Sequence, residues 1–410
     1  MATIKPFQAV RPLKGLESQI ASLPYDVFNR KEAKEYVLSH DKSFLKIDRA
    51  ESQFSDDVDT YDDRVYNKAR SLYEDMLSSG EFVKDSKPCL YLYEQTMGSR
   101  SQTGLVCLAS VFDYENNIIL KHENTRADKE LDRIKHVDTV NAQTGPIFLA
   151  YRNVSSLNDL FIKIKSVSPY TEFENNGVIQ RCWEIKEDND IDFIIRAFEH
   201  IPNLYIADGH HRCASACKVS KIRRENNPQL SKDAECNYFL SVVFPDSELM
   251  IMDYNRVVKD LNGLSFDEFI SRVSEYFEVS KISLTNNKPS KKGDIYMIFN
   301  DCEFCINLKD KYISSDPIES LDVSVLQNYL LNPILGIDDP KTNPRIDFVG
   351  GIRGVEELRK RISTDCVVAF SMFPTSMNEL FNVADAGLLM PPKSTWFEPK
   401  LLSGLFIHEI

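Results

Sequence analysis

Apolar and polar positions along this chain alternate in blocks that read as helices and strands in turn. Val65, Ala69, Leu72 and Met76 recur at helical spacing and predict a helix within 61–83, ending at Gly80. The short apolar runs at 89–93 and 105–111 read as two strands flanking a polar loop at 98–104. Ile191, Ile194, Ile195 and Phe198 mark a helix at 190–200, and the apolar runs at 204–207 and 238–244 read as buried strands. A fresh helix–strand alternation starts over 265–285, just after Leu261-Asn262-Gly263, and sets a domain boundary near 262. Beyond it come a hairpin around 294–315, a helix around 318–331, and Asp347-Phe348-Val349-Gly350-Gly351 before another helix. The pattern predicts a mixed α/β (α+β) fold in two domains, 1–262 and 263–410, the second an α+β unit of unknown role.

Composition narrows the function classes. A 410-residue chain with 42% hydrophobic and 27% charged residues has ample material for globular cores. A formal charge of −13 argues against nucleic-acid binding through phosphate neutralisation. No run approaches a membrane helix and no signal-peptide core opens the chain, so the cytoplasm is expected. Nine cysteines scattered through core-like segments read as buried thiols. Cys302 and Cys305 form one C-x-x-C pair, in a strand-like segment that puts them on opposite faces. Trp396 and Phe397 read as core.

One turn departs from this ordinary pattern. Asp208-Gly209-His210-His211-Arg212 follows the run at 204–207 and precedes the small residues Cys213-Ala214-Ser215-Ala216-Cys217. The order reads strand, tight turn, helix, with Gly209 taking the turn and Asp208 as N-cap. Two histidines and an arginine in the first turn have the wrong sign for that end of the helix dipole. A bound anion removes the conflict, which makes His211, Arg212 and the Gly209 backbone candidate phosphate or carboxylate ligands. The competing reading is a pair of ordinary surface histidines, with Arg212 paired to a nearby acid.

Residues 121–146 form a second constellation. Leu131, Ile134, Val137 and Val140 recur every third residue and predict a narrow apolar stripe on one helix. The other faces are dense with ionisable groups. They are either solvated pairs such as Glu130/Arg133 and Asp132/His136, worth a few tenths of a kcal/mol each, or the wall of a cleft. His122 and Glu123 precede the helix, Arg126, Lys129 and Arg133 can share one edge, and Asn141, Gln143 and Thr144 close it with hydrogen-bonding side chains. Both readings stay open. If the two constellations meet, Arg126, Arg133 and Arg212 suit phosphate, and Asp208 or Glu123 suits Mg²⁺. Asp208, His210, His211, Glu123 and Asp26 are then the candidates for catalysis. The same inventory, with His122, His136 and Asp138, also suits a metal-dependent hydrolase.

The chain is identified, over its whole length, as a member of a bacterial family, the domain-of-unknown-function family 1015. Its marks here are Pro24-Tyr25-Asp26-Val27, Gln95-Thr96-Met97-Gly98, the stretch from Lys121-His122-Glu123 to Gly145-Pro146, and Tyr205-Ile206-Ala207-Asp208-Gly209-His210-His211-Arg212. Asp253-Tyr254-Asn255-Arg256 and Pro391-Pro392-Lys393-Ser394-Thr395-Trp396-Phe397-Glu398-Pro399-Lys400 complete the set. That family has no settled activity. More distantly, Asp208 to Arg212 resembles the Gly-x-x-Arg box of the ParB/sulfiredoxin-like fold, which implies that 1–262 is a core cradling nucleotide phosphates. That fold includes partitioning CTPases, sulfiredoxins and kinases that phosphorylate free serine. Sulfiredoxin chemistry needs a cysteine where this chain has His210, and no helix-turn-helix is visible in 263–410. With the family's association with serine-biosynthesis genes, the resemblance implies a Mg²⁺-dependent phosphotransferase. It would use a purine nucleotide, ATP or ADP, on a small hydroxyl metabolite such as serine, with Asp26 as base; a homodimer is allowed. The alternatives are a ParB-like nucleotide-gated, DNA-associated regulator and the metal-dependent hydrolase.

Overall fold

The computed structural model describes residues 1–283 and 288–410. The fold is mixed α/β. Contacts divide the chain into two compact units, Met1–Leu249 with Pro399–Ile410, and Met250–Glu398. The division falls at 249/250 and not near 262, because strand Tyr254–Val258 pairs with Ile346–Gly350 and Val368–Met372 inside the second unit. The helix–strand alternation anticipated over 265–285 is helix Phe266–Tyr276 and strand Phe277–Ile282; residues 284 and 285 of that expectation lie outside the described residues.

Among the described residues, the first unit is built on a nine-stranded mixed sheet. From one edge its order is Ile119–Leu120, Leu204–Asp208, Ile147–Tyr151, Tyr238–Pro245, Arg100–Ser110, Leu90–Met97, Val178–Ile185 and Thr171–Asn175, with Ile4–Lys5 pairing onto Arg100–Ser110. The central strands are apolar on both faces because both are covered, and Tyr238–Pro245 is buried at every position. One core joins Leu105, Leu149, Ile206 and Phe239 of the sheet to Phe161, Ile194 and Phe198 of two helices. Another gathers around helix Asp63–Ser78, where Val65, Ala69 and Met76 are buried as their spacing predicts.

Two elements differ from expectation. The polar loop at 98–104 is mostly strand, with Leu90–Met97 and Arg100–Ser110 joined by a turn at Gly98-Ser99. Its polar residues are a ladder: Gln102 donates to Gln95 at 3.1 Å and Thr96 bonds Ser101 at 2.8 Å across the strands. The helix around 318–331 is an α-helix, Asp322–Leu326, that widens into a π-helical turn, Gln327–Leu331. Among the described residues, the second unit holds a six-stranded antiparallel sheet, with Tyr254–Val258 between Val368–Met372 and Ile346–Gly350. Phe397 is buried as predicted, while Trp396 is half-buried and its ring lies 5.0 Å from that of Tyr254. Cys302 and Cys305 are half-buried and the other seven cysteines are buried, all of them free thiols.

The C-terminal tail is threaded through the first unit. Ser403 and Ser22 exchange two backbone bonds, Ile407 and Val10 two more, and the Gly404 N–H donates to the Thr144 carbonyl at 2.9 Å. Gly404 sits at φ +73°, and a Cβ there would run into the buried ring of Phe44. Gly404→Ala should therefore cost about 2 kcal/mol or more, from strain and overpacking together. A denaturant midpoint equal to that of the parent chain would contradict this placement of the tail.

Candidate functional site

The turn singled out in the sequence folds as strand, glycine, helix. Strand Leu204–Asp208 pairs with Ile147–Tyr151, and the register slips between Ile206 and Asp208. A bulge of this kind re-aims a side chain, and Asp208 is half-buried at the end of an otherwise buried strand. Gly209, at φ +89°, is the N-cap of helix His210–Asn226. Asp208, expected as the cap, stays in the strand, because the turn needs the left-handed angle that glycine adopts at least cost.

The three residues after Gly209 diverge. His210 turns inward, its ring 4.6 Å from that of His122, and its Nε2 has no hydrogen-bond partner among the described residues. Burial drives the His210 pKa well below the usual histidine range and lowers that of His122 to about 4, so both imidazoles are neutral at pH 7. His211 is half-buried and accepts the Arg126 backbone N–H on Nε2 at 2.9 Å, which places its own proton on Nδ1. Burial lowers its pKa against the pull of Asp26, Glu130 and Asp128. Arg212 donates from Nη1 to the Pro146 carbonyl at 2.7 Å and from Nη2 to Asp208 at 3.1 Å. A Cβ on Gly209 would meet that guanidinium at 3.0–3.2 Å. Burial alone would raise the Asp208 pKa, but Lys400, with its Nζ 3.8 Å away, and Arg212 hold it below the ordinary value.

Helix Ala127–Val140 is rotated from the orientation its apolar stripe predicts. Leu131 is exposed, whereas Asp132, Arg133, His136 and Val140 are buried. The polar face is inside because distant segments supply its partners. Arg133 pairs with Asp132 at 2.9 Å and lies over the Tyr25 ring at 4.0 Å, while the Tyr66 hydroxyl donates to Asp132 at 2.9 Å. His136 Nε2 lies 3.2 Å from the Ile47 carbonyl, and burial lowers its pKa to about 4. Burial raises the Tyr25 hydroxyl to about 12, against the opposing charges of Arg133 and Arg212. Tyr25 thus feels both guanidiniums.

Two cavities in the first unit share Tyr25, Asp48, Arg133 and His136 as wall residues. The first, about 440 Å³ including its open part, is completed by Gln143, Thr144, Gly145, Arg212 and Ser403 with apolar neighbours. The second, about 640 Å³ on the same basis, adds Arg49, Glu51, Tyr61, Tyr66, Lys129 and Asp132. Two of the anticipated arginines, Arg133 and Arg212, and the anticipated Thr144 and Gln143 therefore meet at one cavity. Thr144 donates to Asp48 at 2.9 Å. Both ends of the Gln143 amide are occupied, donating to the Tyr238 carbonyl at 3.0 Å and accepting the Leu240 N–H at 2.6 Å.

Other candidates lie elsewhere. Asp26, Glu123, His210, His211, Arg126 and Asn141 are not wall residues of either cavity. Asp26 is exposed, and Arg126 is 69% exposed and paired with Asp128 at 2.9 Å. Asn141 takes the left-handed angle that ends the helix and accepts from Arg223 at 2.9 Å. Asp138 also pairs with Arg223, at 3.1 Å. Among the described residues no three His, Cys, Asp or Glu side chains are grouped to hold a metal ion; a Mg²⁺ ion on one or two carboxylates plus phosphate needs no such group. Sequence reasoning missed Asp48, Glu51, Tyr66 and Ser403. It flagged Pro24-Tyr25-Asp26 for its acid, whereas the tyrosine makes the contact.

The family model described as "Protein of unknown function (DUF1015)" matches residues 4–324, and the chain belongs to that family. No curated protein matches it. Among solved structures, it is similar to a free serine kinase in complex with AMP, at 12% identity over 73% of this chain and 89% of that one, TM-score 0.35. It is also similar to a conserved hypothetical protein from Pyrococcus furiosus (14% identity, 75% and 97% coverage, TM-score 0.34). A third is SbnI with a C-terminal truncation from Staphylococcus aureus (12%, 72% and 85%, TM-score 0.37). Among the described residues no helix is long and apolar enough to cross a membrane.

The buried imidazoles set a pH dependence. A histidine whose pKa is lower in the folded chain than in the unfolded one contributes full stability above about pH 6.5, and that stability is lost as pH falls toward the folded value. With His122 at about 4, lowering the pH from 7.5 to 5 should cost about 2 kcal/mol from this group alone. Urea unfolding at the two pH values measures it, and His122→Gln should remove that share. An unchanged pH dependence in the variant would show that folding leaves the His122 pKa where it is in the unfolded chain.

Proposed function

We propose that this family member binds a purine nucleotide in the cleft walled by Tyr25, Asp48, Arg133 and His136 and transfers a phosphoryl group to a small hydroxyl metabolite. The observation that carries the reading is the meeting of two guanidiniums, buried Arg133 and half-buried Arg212, at one cavity. Phosphoryl transfer is mostly positioning and charge stabilisation, so cations fixed in a poorly hydrated wall are what it needs. Ser403 adds a hydroxyl donor, while Thr144 donates to Asp48 and holds that carboxylate in the wall. The wider cavity offers the tyrosines Tyr25, Tyr61 and Tyr66 to a purine ring.

In this reading Asp48, the carboxylate shared by both cavities, replaces Asp26 as the group that orients and deprotonates the substrate hydroxyl. Glu51 is an oxygen donor of the kind Mg²⁺ prefers, and the ion would supply charge neutralisation of the phosphates. Asp208 serves the site through Arg212, since its carboxylate already faces that guanidinium and Lys400. Serine stays the first substrate to try, on the motif resemblance of Asp208 to Arg212. Nothing in the geometry favours the DNA-associated or metal-hydrolase readings.

Nucleotide at a hundred times its Kd should stabilise the chain by about 2.7 kcal/mol. Thermal unfolding with Mg²⁺ and ATP, ADP or AMP reads this out. Arg212→Gln should weaken binding roughly tenfold or more, the worth of a charged hydrogen bond. Asp48→Asn should keep nucleotide binding but abolish phosphoserine formation from L-serine. No stabilisation by any of the three nucleotides would sink the proposal, whereas stabilisation without phosphoserine would overturn only the serine assignment.

A further inference from the structure

The second unit holds a charge that the nucleotide reading does not use. Arg256, on strand Tyr254–Val258, is 3% exposed. Its Nη1 donates to the Tyr254 carbonyl, its Nη2 donates to the Lys393 carbonyl at 3.0 Å, and its guanidinium lies 5.5 Å from the Phe348 ring centre. All these partners are neutral. Buried Arg133 and half-buried Arg212 each have a carboxylate within 3.1 Å. Burial pushes the Arg256 pKa down to about 10, opposed only by Tyr254. A buried charge with no carboxylate partner among the described residues is strongly unfavourable, so a fold that keeps one is poised to receive its counter-ion from outside.

A cavity of about 810 Å³, including its open part, adjoins this guanidinium. Val323, Leu331, Phe348, Pro391 and Pro392 give it apolar walls. Gln327 and Leu331 belong to the π-helical turn, a widening that is often found at functional sites. The Asp253-Tyr254-Asn255-Arg256 and Pro391-Pro392-Lys393 segments, both singled out in the sequence, meet here through the bond from Arg256 to Lys393. The charged wall residues besides Arg256 are Asp338, Asp339 and Lys341, all exposed.

We infer that this cavity binds a small organic monoanion, a carboxylate carried on an apolar body. One buried cation matches one negative charge, and the walls match a hydrocarbon group. The exposed Asp338 and Asp339 disfavour a phosphate dianion. This inference is independent of the first unit's chemistry and stands or falls separately from the nucleotide reading.

The test is thermal unfolding and isothermal titration of the full chain with three probes, namely 4-methylpentanoate, its uncharged amide, and inorganic phosphate. The carboxylate should raise the melting temperature in a concentration-dependent way, and the amide and phosphate should bind at least tenfold more weakly. Arg256→Met should abolish the response while folding as well as the parent, because it removes an unpaired charge. Lys341→Glu, at the exposed rim, should weaken carboxylate binding severalfold without touching the core. The inference is overturned if the carboxylate has no effect, if the amide or phosphate matches it, or if Arg256→Met retains the response. A folding failure of Arg256→Met would assign that arginine a structural role and also count against it, leaving the probe comparison and Lys341→Glu to decide.

Discussion

The cleft of the first unit depends on keeping Arg133 charged inside a wall that is almost closed to water. Arginine does not give up its proton at physiological pH, so its charge has to be met where it lies. Asp132 meets it at 2.9 Å, the face of Tyr25 lies 4.0 Å from it, and Asp48 adds a nearby negative charge. Breaking such a buried pair by removing one partner costs about 3–5 kcal/mol. The rotation of helix Ala127–Val140 follows from this pairing. Its charged face turns inward toward Tyr25, Ile47 and Tyr66, and Leu131 is left outside.

Assembling that wall takes segments far apart in the chain. Tyr25 and Asp48 come from the N-terminal region, Arg133 and His136 from one helix, Thr144 from the strand connection after it, Arg212 from helix His210–Asn226, and Ser403 from the returning tail. The tail is therefore a part of the site, and it is held by backbone pairing to Ser22, Val10 and Thr144. Gly209 and Gly145 bring the backbone close to the Arg212 guanidinium, where a Cβ would stand 3.0 and 3.5 Å from its nitrogens. Site geometry and fold stability are thus set by the same contacts.

How much of this was legible in the sequence depended on range. The strand–turn–helix over 204–226 could be read directly, because apolar run, glycine and small-residue helix are local signals. The place of Arg212 at the start of that helix was legible from the same signals, and the fold puts it in the cavity wall. The orientation of helix Ala127–Val140 could not be read, because its i+3 apolar stripe and its charged face were both credible core faces until partners at Tyr25 and Ile47 were placed. The 98–104 ladder was hidden for a related reason: polar residues on paired strands look like a loop when their cross-strand partners are unknown. His210 and His211, adjacent and chemically identical, went to different environments, one against His122 and the other against the Arg126 backbone. Nothing in the sequence distinguishes them.

The central claim is that Arg133 and Arg212 share one anion. A crystal structure of the full chain grown with ADP and Mg²⁺ tests this most directly. A phosphate group within hydrogen-bond reach of both guanidiniums, with the purine beside Tyr25, Tyr61 or Tyr66, is the result expected. A diphosphate bound elsewhere on the molecule, with both arginines still facing only Asp132, Asp208 and the Pro146 carbonyl, would contradict it.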